Sequence, residues 1–214
     1  MTDKKDNDQE VEIIKIGSLG NSDVGKTQFS KKYTNSNYNS SFNISTVGVE
    51  FYTKEKILSN GKKYKINIYD TAGQEKFRSL SLNSIRNYDG VFLMYDITNF
   101  KSFDSISEWI KNIYEKKDEN FPLILIGNKC DLKDEREVSE EEGLETAEKY
   151  KTTYFETSVK EGINVEEAID ELINKIIAQK KEEENSKDKK DEIKNIKLDK
   201  SKSINKVKFK CCGK

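Results

Sequence analysis

The chain predicts an α/β fold: a six-stranded, mostly parallel sheet with one antiparallel edge strand and helices on both faces. Three observations carry this reading. Strand-length apolar runs alternate with helix-length segments, the turn Ser59-Asn60-Gly61 joins two extended segments as a hairpin, and a glycine-containing loop follows the first run.

The first run, Val11 to Leu19, reads as a buried strand. Gly20-Asn21-Ser22-Asp23-Val24-Gly25-Lys26-Thr27 follows and fits G-x-x-x-x-G-K-[ST], a loop that wraps the phosphates of a nucleotide. Gln28-Phe29-Ser30-Lys31-Lys32-Tyr33 continues as a helix, whose free N-terminal amides and partial positive charge favour an anion. Gly25 permits close backbone approach, Lys26 reaches the β and γ phosphates, and the Thr27 hydroxyl suits Mg²⁺.

The hairpin leads to a second apolar strand, Lys65 to Tyr69, ending on Asp70-Thr71-Ala72-Gly73-Gln74-Glu75. An Asp at a strand's end holds a magnesium shell, usually through water. Gly73, lacking a side chain, lets its amide approach a γ-phosphate, and Gln74 orients an attacking water. Gly90–Tyr95 and Phe121–Gly127 are further strands. Between them Phe103, Ile106, Trp109, Ile110 and Ile113 fall at helical spacing within Ser102–Tyr114 and read as core. Asn128-Lys129-Cys130-Asp131 carries the donors and acceptors that select guanine over adenine, with Cys130 a small packed side chain. Thr153–Glu156 is the last strand and Asn164–Ala178 the last packed helix. Ligands of such sheets sit at the carboxyl ends of the strands, where each of these motifs falls.

Composition narrows the alternatives. The 214 residues, 34% apolar, suffice for one core. With no His, triads and metal sites built on it are excluded, and the three Cys do not form a zinc pattern. No run is long enough to span a membrane, and the Met1-Thr2-Asp3-Lys4-Lys5 start predicts neither a signal peptide nor myristoylation, hence synthesis in the cytosol. From about Lys180 the sequence turns to Lys, Glu, Asp, Asn and Ser and predicts disorder. The expected organisation is an extension over 1–10, a nucleotide-binding domain over 11–179 and a tail over 180–214. Residues 193–214 hold eight Lys against Asp199 alone, a net of +7, so with a formal total of −1 the remainder carries −8.

On these motifs, over residues from about 11 to 178, the chain resembles the small GTPases of the Ras superfamily, nearest to the Rab family. Val47-Gly48-Val49-Glu50-Phe51, Lys76-Phe77-Arg78-Ser79-Leu80 and Val91-Phe92-Leu93-Met94-Tyr95-Asp96-Ile97-Thr98 are the stretches that resemble Rab proteins. The resemblance implies the small G domain of P-loop NTPases, binding GTP or GDP with Mg²⁺. It also implies residue roles. Thr46, in Ile44-Ser45-Thr46-Val47-Gly48, matches the switch I threonine that ligates Mg²⁺ beside Thr27 and Asp70 and senses the γ-phosphate. Asn128 and Asp131 match the guanine readers, with the Lys129 stem along the base, and Tyr38 matches an aromatic beside it. Ser158, Val159 and Lys160, in Glu156-Thr157-Ser158-Val159-Lys160, match the loop that contacts guanine. Lys26, Thr46, Gly73 and Gln74 form the implied catalytic set, and the loop from Gly20 to Gln28 holds the phosphates.

The C-terminus resembles Rab tails ending in Cys-Cys-x-x, where both cysteines carry geranylgeranyl groups; here these are Cys211 and Cys212. Stable anchoring needs two signals, and basic residues add roughly 1 kcal/mol each near an anionic surface. A single prenyl group on a C-a-a-X reading of Cys211-Cys212-Gly213-Lys214 is the poorer alternative. Ile196-Lys197-Leu198 resembles the aliphatic pair offered to a prenylation escort and a dissociation inhibitor.

Four departures qualify the resemblance. Asp23 stands where the family usually has Gly, which predicts charge repulsion and faster nucleotide release. Switch I carries one extra position around Asn43. Tyr69 replaces Trp, and Ser84-Ile85 replaces a Tyr-Tyr pair, which alters the effector surface, while Val159 replaces Ala. The implied function is a GTPase cycling between GTP and GDP on the cytosolic face of membranes to regulate vesicle traffic. Its intrinsic hydrolysis is slow, and it takes an exchange factor, an activating protein and effectors, with no nucleic-acid partner. The alternatives are a fast-exchanging binding module barely dependent on hydrolysis, or a Ras- or Rho-type signalling GTPase.

Overall fold

The computed structural model describes residues 11–35, 49–58, 60–71 and 83–205. Six strands form one sheet: β1 (Glu12–Leu19), β2 (Val49–Ile57), β3 (Lys63–Thr71), β4 (Gly90–Asp96), β5 (Leu123–Asn128) and β6 (Thr153–Thr157). Their order is β2-β3-β1-β4-β5-β6, and every neighbouring pair is parallel except β2 with β3. The expected sheet is therefore present, with its antiparallel strand at the edge. The hairpin closes through Leu58 N–H to the Lys62 carbonyl at 3.1 Å and Gly61 N–H to the Leu58 carbonyl at 2.9 Å. Gly61 has φ 75°, the left-handed backbone such a turn requires.

All residues of β4 and β5 are buried, as central parallel strands covered on both sides must be. Side-chain alternation assigns the two faces. Phe92 packs on Phe29 of α1 (Lys26–Thr34), ring centroids 5.0 Å apart. Val91, Leu93 and Tyr95 point the other way, into a cluster with Ile106, Trp109, Ile110 and Ile113 of α3 (Ile106–Tyr114). The single helix predicted over Ser102–Tyr114 is two: α2 (Phe100–Asp104), capped by Asn99, and α3. Ser105 lies between them and donates its hydroxyl to the Lys101 carbonyl at 2.9 Å, a back-bond that bends helices. α4 (Glu140–Lys149) opens with a capping box between Ser139 and Glu142, so two of its orphan amides are satisfied reciprocally.

The chain divides into a body through Asn174 and a second unit from Lys175. In the first unit the last helix, α5 (Val165–Asn205), buries Val165, Ala168, Ile169, Leu172 and Ile173. The helix continues to Asn205, where composition predicts disorder from 180. Its Lys- and Glu-rich sequence explains the difference, because both residues have high helix propensity without any apolar face to bury. No helix among the described residues is long and apolar enough to cross a membrane.

Candidate functional site

Strand order reverses around β1, which places the loop after β1 in the crevice where open α/β sheets bind ligands. Two glycines shape that loop. A Cβ on Gly20 (φ 134°) would lie 2.2 Å from the Met94 carbonyl oxygen, and one on Gly25 (φ 104°) would lie 2.4 Å from Asn128 Nδ2. Gly25 is the left-handed N-cap of α1 and offers no side-chain cap. The first amides of the helix are thus the groups a phosphate would satisfy. Asp23 is exposed at φ 62°, a conformation that Asp tolerates better than most residues.

Lys26 is only 5% exposed. Its ammonium donates to the carbonyls of Gly20 at 3.0 Å and Asn21 at 2.6 Å, so it lies folded over the loop. Burial lowers its pKa to about 8, against the opposing pull of the Asp70 and Asp23 carboxylates. Behind it the Thr27 hydroxyl donates to Asp70 Oδ2 at 2.5 Å. Asp70 is fully buried at the end of β3, and desolvation raises its pKa despite the Thr27 bond and the Lys26 charge. A hydroxyl and a carboxylate side by side are hard oxygen donors, and they fit Mg²⁺.

The loop after β5 is bolted to the loop after β1. Asn128, at the end of β5, donates Nδ2 to the Val24 carbonyl at 2.9 Å, and its Oδ1 accepts from the Thr157 hydroxyl at 3.0 Å. Lys129 has φ 70°, and its ammonium lies 2.5 Å from Asp96 Oδ2, while Asp96 Oδ1 accepts from the Thr98 amide and hydroxyl. Asp131 Oδ1 accepts from the Ser158 hydroxyl at 2.6 Å, and the Lys160 ammonium stands 3.9 Å from its other oxygen. Ser158 Oγ in turn accepts from the Glu161 amide, and Val159 is buried at 6% exposure. Beneath this loop Arg136 pairs in bidentate fashion with Glu156 at 2.6 and 2.8 Å. Tyr154 and Tyr95 extend the network, with their hydroxyls 2.8 Å apart and Tyr154 donating to Glu156.

The fold thus brings together the loop from Gly20 to Gln28, Asp70, the run Asn128, Lys129 and Asp131, and the run Ser158 to Lys160. Tyr38, the extra position around Asn43, Thr46, Gly73, Gln74, Cys211 and Cys212 lie outside the described residues. Three residues that sequence reasoning missed join the site. Thr157 orients Asn128, Asp96 holds Lys129, and Trp109, read as core, donates its indole N–H to Asn21 Oδ1 at 2.9 Å. An Asp closing the apolar run of β4 was the available signal for Asp96; nothing local marks the other two. The altered aromatics also find a place. Phe51 stacks on Tyr69 and Tyr69 on Tyr88, with Ile85 fully buried nearby in sequence.

A family model described as the Ras family matches residues 15–178. Among curated relatives, Ras-related protein Rab-8B of Homo sapiens is 42% identical over 165 residues, covering 77% of this chain and 79% of that protein. Ras-related protein Rab-10 of Diplobatis ommata is 41% identical over 165 residues, covering 77% and 82%. Ras-related protein Rab-3C of Bos taurus is 41% identical over 162 residues, covering 76% and 70%. With the glycine-bounded loop, the β3 aspartate and the loops after β5 and β6 assembled at the carboxyl ends of the strands of a sheet of this topology, the chain belongs to the Rab family of Ras-superfamily small GTPases.

Proposed function

We propose that this chain is a Rab-like GTPase that regulates vesicle and membrane traffic by cycling between GTP- and GDP-bound states. The observation that carries the reading is the Asn128–Val24 hydrogen bond, which ties the base-reading loop to the phosphate loop as one rigid receptor. The phosphates lie along the amides of Gly20 to Gln28 with Lys26 on the β and γ groups. Asn128 and Asp131 read the guanine edge, Ser158, Val159 and Lys160 close over it, the Lys129 stem covers one side, and Tyr38 flanks the base. Thr27, Asp70 and Thr46 would hold Mg²⁺, whose charge would offset the negative charge developing on the phosphate oxygens.

Gln74 places the attacking water, and the Gly73 amide and Thr46 hold both switches ordered until the γ-phosphate leaves. Intrinsic hydrolysis is slow, and an activating protein accelerates it by on the order of 10³ to 10⁵. Geranylgeranyl groups on Cys211 and Cys212, with the basic tail, hold the protein on the cytosolic face of a membrane. An exchange factor, effectors, a prenylation escort and a dissociation inhibitor complete the cycle. Single-turnover hydrolysis of bound GTP tests this function. Slow release of phosphate, slower still in Gln74→Leu with nucleotide affinity kept, is the expected result; equal rates in both would overturn the role of Gln74.

A further inference from the structure

The phosphate loop has a second fastening that no nucleotide contact requires. Asn21 is partly exposed and uses both ends of its carboxamide. Oδ1 accepts from the Trp109 indole N–H at 2.9 Å, and Nδ2 donates to Ser105 Oγ at 2.9 Å. The Ser105 hydroxyl in turn donates to the Lys101 carbonyl at 2.9 Å. The chain of donors is consistent in one direction only, because a flipped amide would set its NH₂ against the indole N–H. On its main-chain side, Asn21 presents the carbonyl that accepts from Lys26 Nζ at 2.6 Å. Trp109 is 3% exposed and anchored in the α3 cluster, so one end of this chain of contacts is immobile.

Resting on the proposed nucleotide-binding function, we infer that Trp109 and Ser105 are positioning residues for the phosphate loop, acting through Asn21. The helix pair α2–α3 holds the Asn21 peptide, and that peptide holds the Lys26 ammonium on a fixed side of the loop. The loop then meets phosphate already ordered, and less conformational entropy is lost on binding. Because Trp109 is the chain's only tryptophan, its indole signal reports the state of this contact.

The test uses the full chain loaded with fluorescent GDP and Mg²⁺. Asn21→Ala and Trp109→Phe should each release nucleotide about 5- to 10-fold faster, the scale of one lost hydrogen bond. The double variant should be no faster than the faster single, since both remove the same contact. In ¹⁵N-labelled protein the single indole N–H resonance should move upfield in Asn21→Ala, as loss of its acceptor requires. Multiplying effects in the double variant, or an unmoved indole resonance, would overturn the inference. If Trp109→Phe does not fold, Asn21→Ala with Ser105→Ala carries the same test from partly exposed positions. Wild type failing to bind fluorescent GDP overturns the proposed function; wild type binding while the variants release at its rate overturns the positioning role alone.

Discussion

The Lys129 ammonium lies 2.5 Å from Asp96 Oδ2, so the residue whose stem would cover the base is clamped by the last carboxylate of β4. Lys129 reaches this partner from a left-handed backbone, φ 70°, held on either side by the Ile97 amide donating to the Asn128 carbonyl at 3.1 Å and the Cys130 amide donating to the Thr157 carbonyl at 3.0 Å. Asp96 is itself held by two bonds from Thr98, which aim its free oxygen at the ammonium.

Asp96→Asn separates the clamp from the fold. The amide oxygen still accepts from Thr98, but the ion pair is lost. Guanine nucleotide affinity should fall about 10-fold, the scale of one hydrogen bond between charged groups, with little change in melting temperature. Competition titration with fluorescent GDP measures the first and circular dichroism the second.

The buried Lys26 makes binding pH-dependent. Its pKa of about 8 in the nucleotide-free fold is below its ordinary value because burial disfavours the ammonium. Bound phosphates favour the charged form and raise that pKa, so binding above about pH 8 takes up a proton. Affinity should therefore weaken as pH rises from about 8 towards the ordinary lysine value. The nucleotide-free fold, by contrast, gains stability from this group over the same interval, since its unfolded state binds more protons there. Calorimetry at pH 8.5 in buffers of different ionisation enthalpy measures the uptake, which Lys26→Met should abolish.

Charge repulsion at Asp23 is expected to speed nucleotide release. This residue is exposed, carries a negative charge in the loop after β1, and holds a left-handed conformation that Gly adopts without strain. Asp23→Gly should slow GDP release several-fold at low salt, and the gap between variant and wild type should narrow as ionic strength screens the exposed charge. Stopped-flow release across a salt series reads both effects; a gap independent of salt would assign it to backbone strain instead.

Much of the fold was legible beforehand. Each apolar run became a strand within a few residues, and the Asn60-Gly61 turn marked the antiparallel edge, because strand burial and turn geometry write themselves into adjacent residues. Boundaries were less legible where one hydroxyl decides them, as at Ser105, and in the tail, where helix propensity and the lack of an apolar face pull in opposite directions.

The sequence by itself determined which residue types the site assembles: a glycine-bounded loop after β1 with its Lys and Thr, a β3 carboxylate and the Asn-Lys-Cys-Asp run after β5. Each of these needs only residue types at short, regular spacing. Only the tertiary structure decided how those parts are held together. Asn128 meets Val24 across 104 positions, Trp109 meets Asn21 across 88, and Thr157 meets Asn128 across 29. Such pairs depend on strand order and helix packing, so no local pattern announces them, and these long-range bonds are what join the loops.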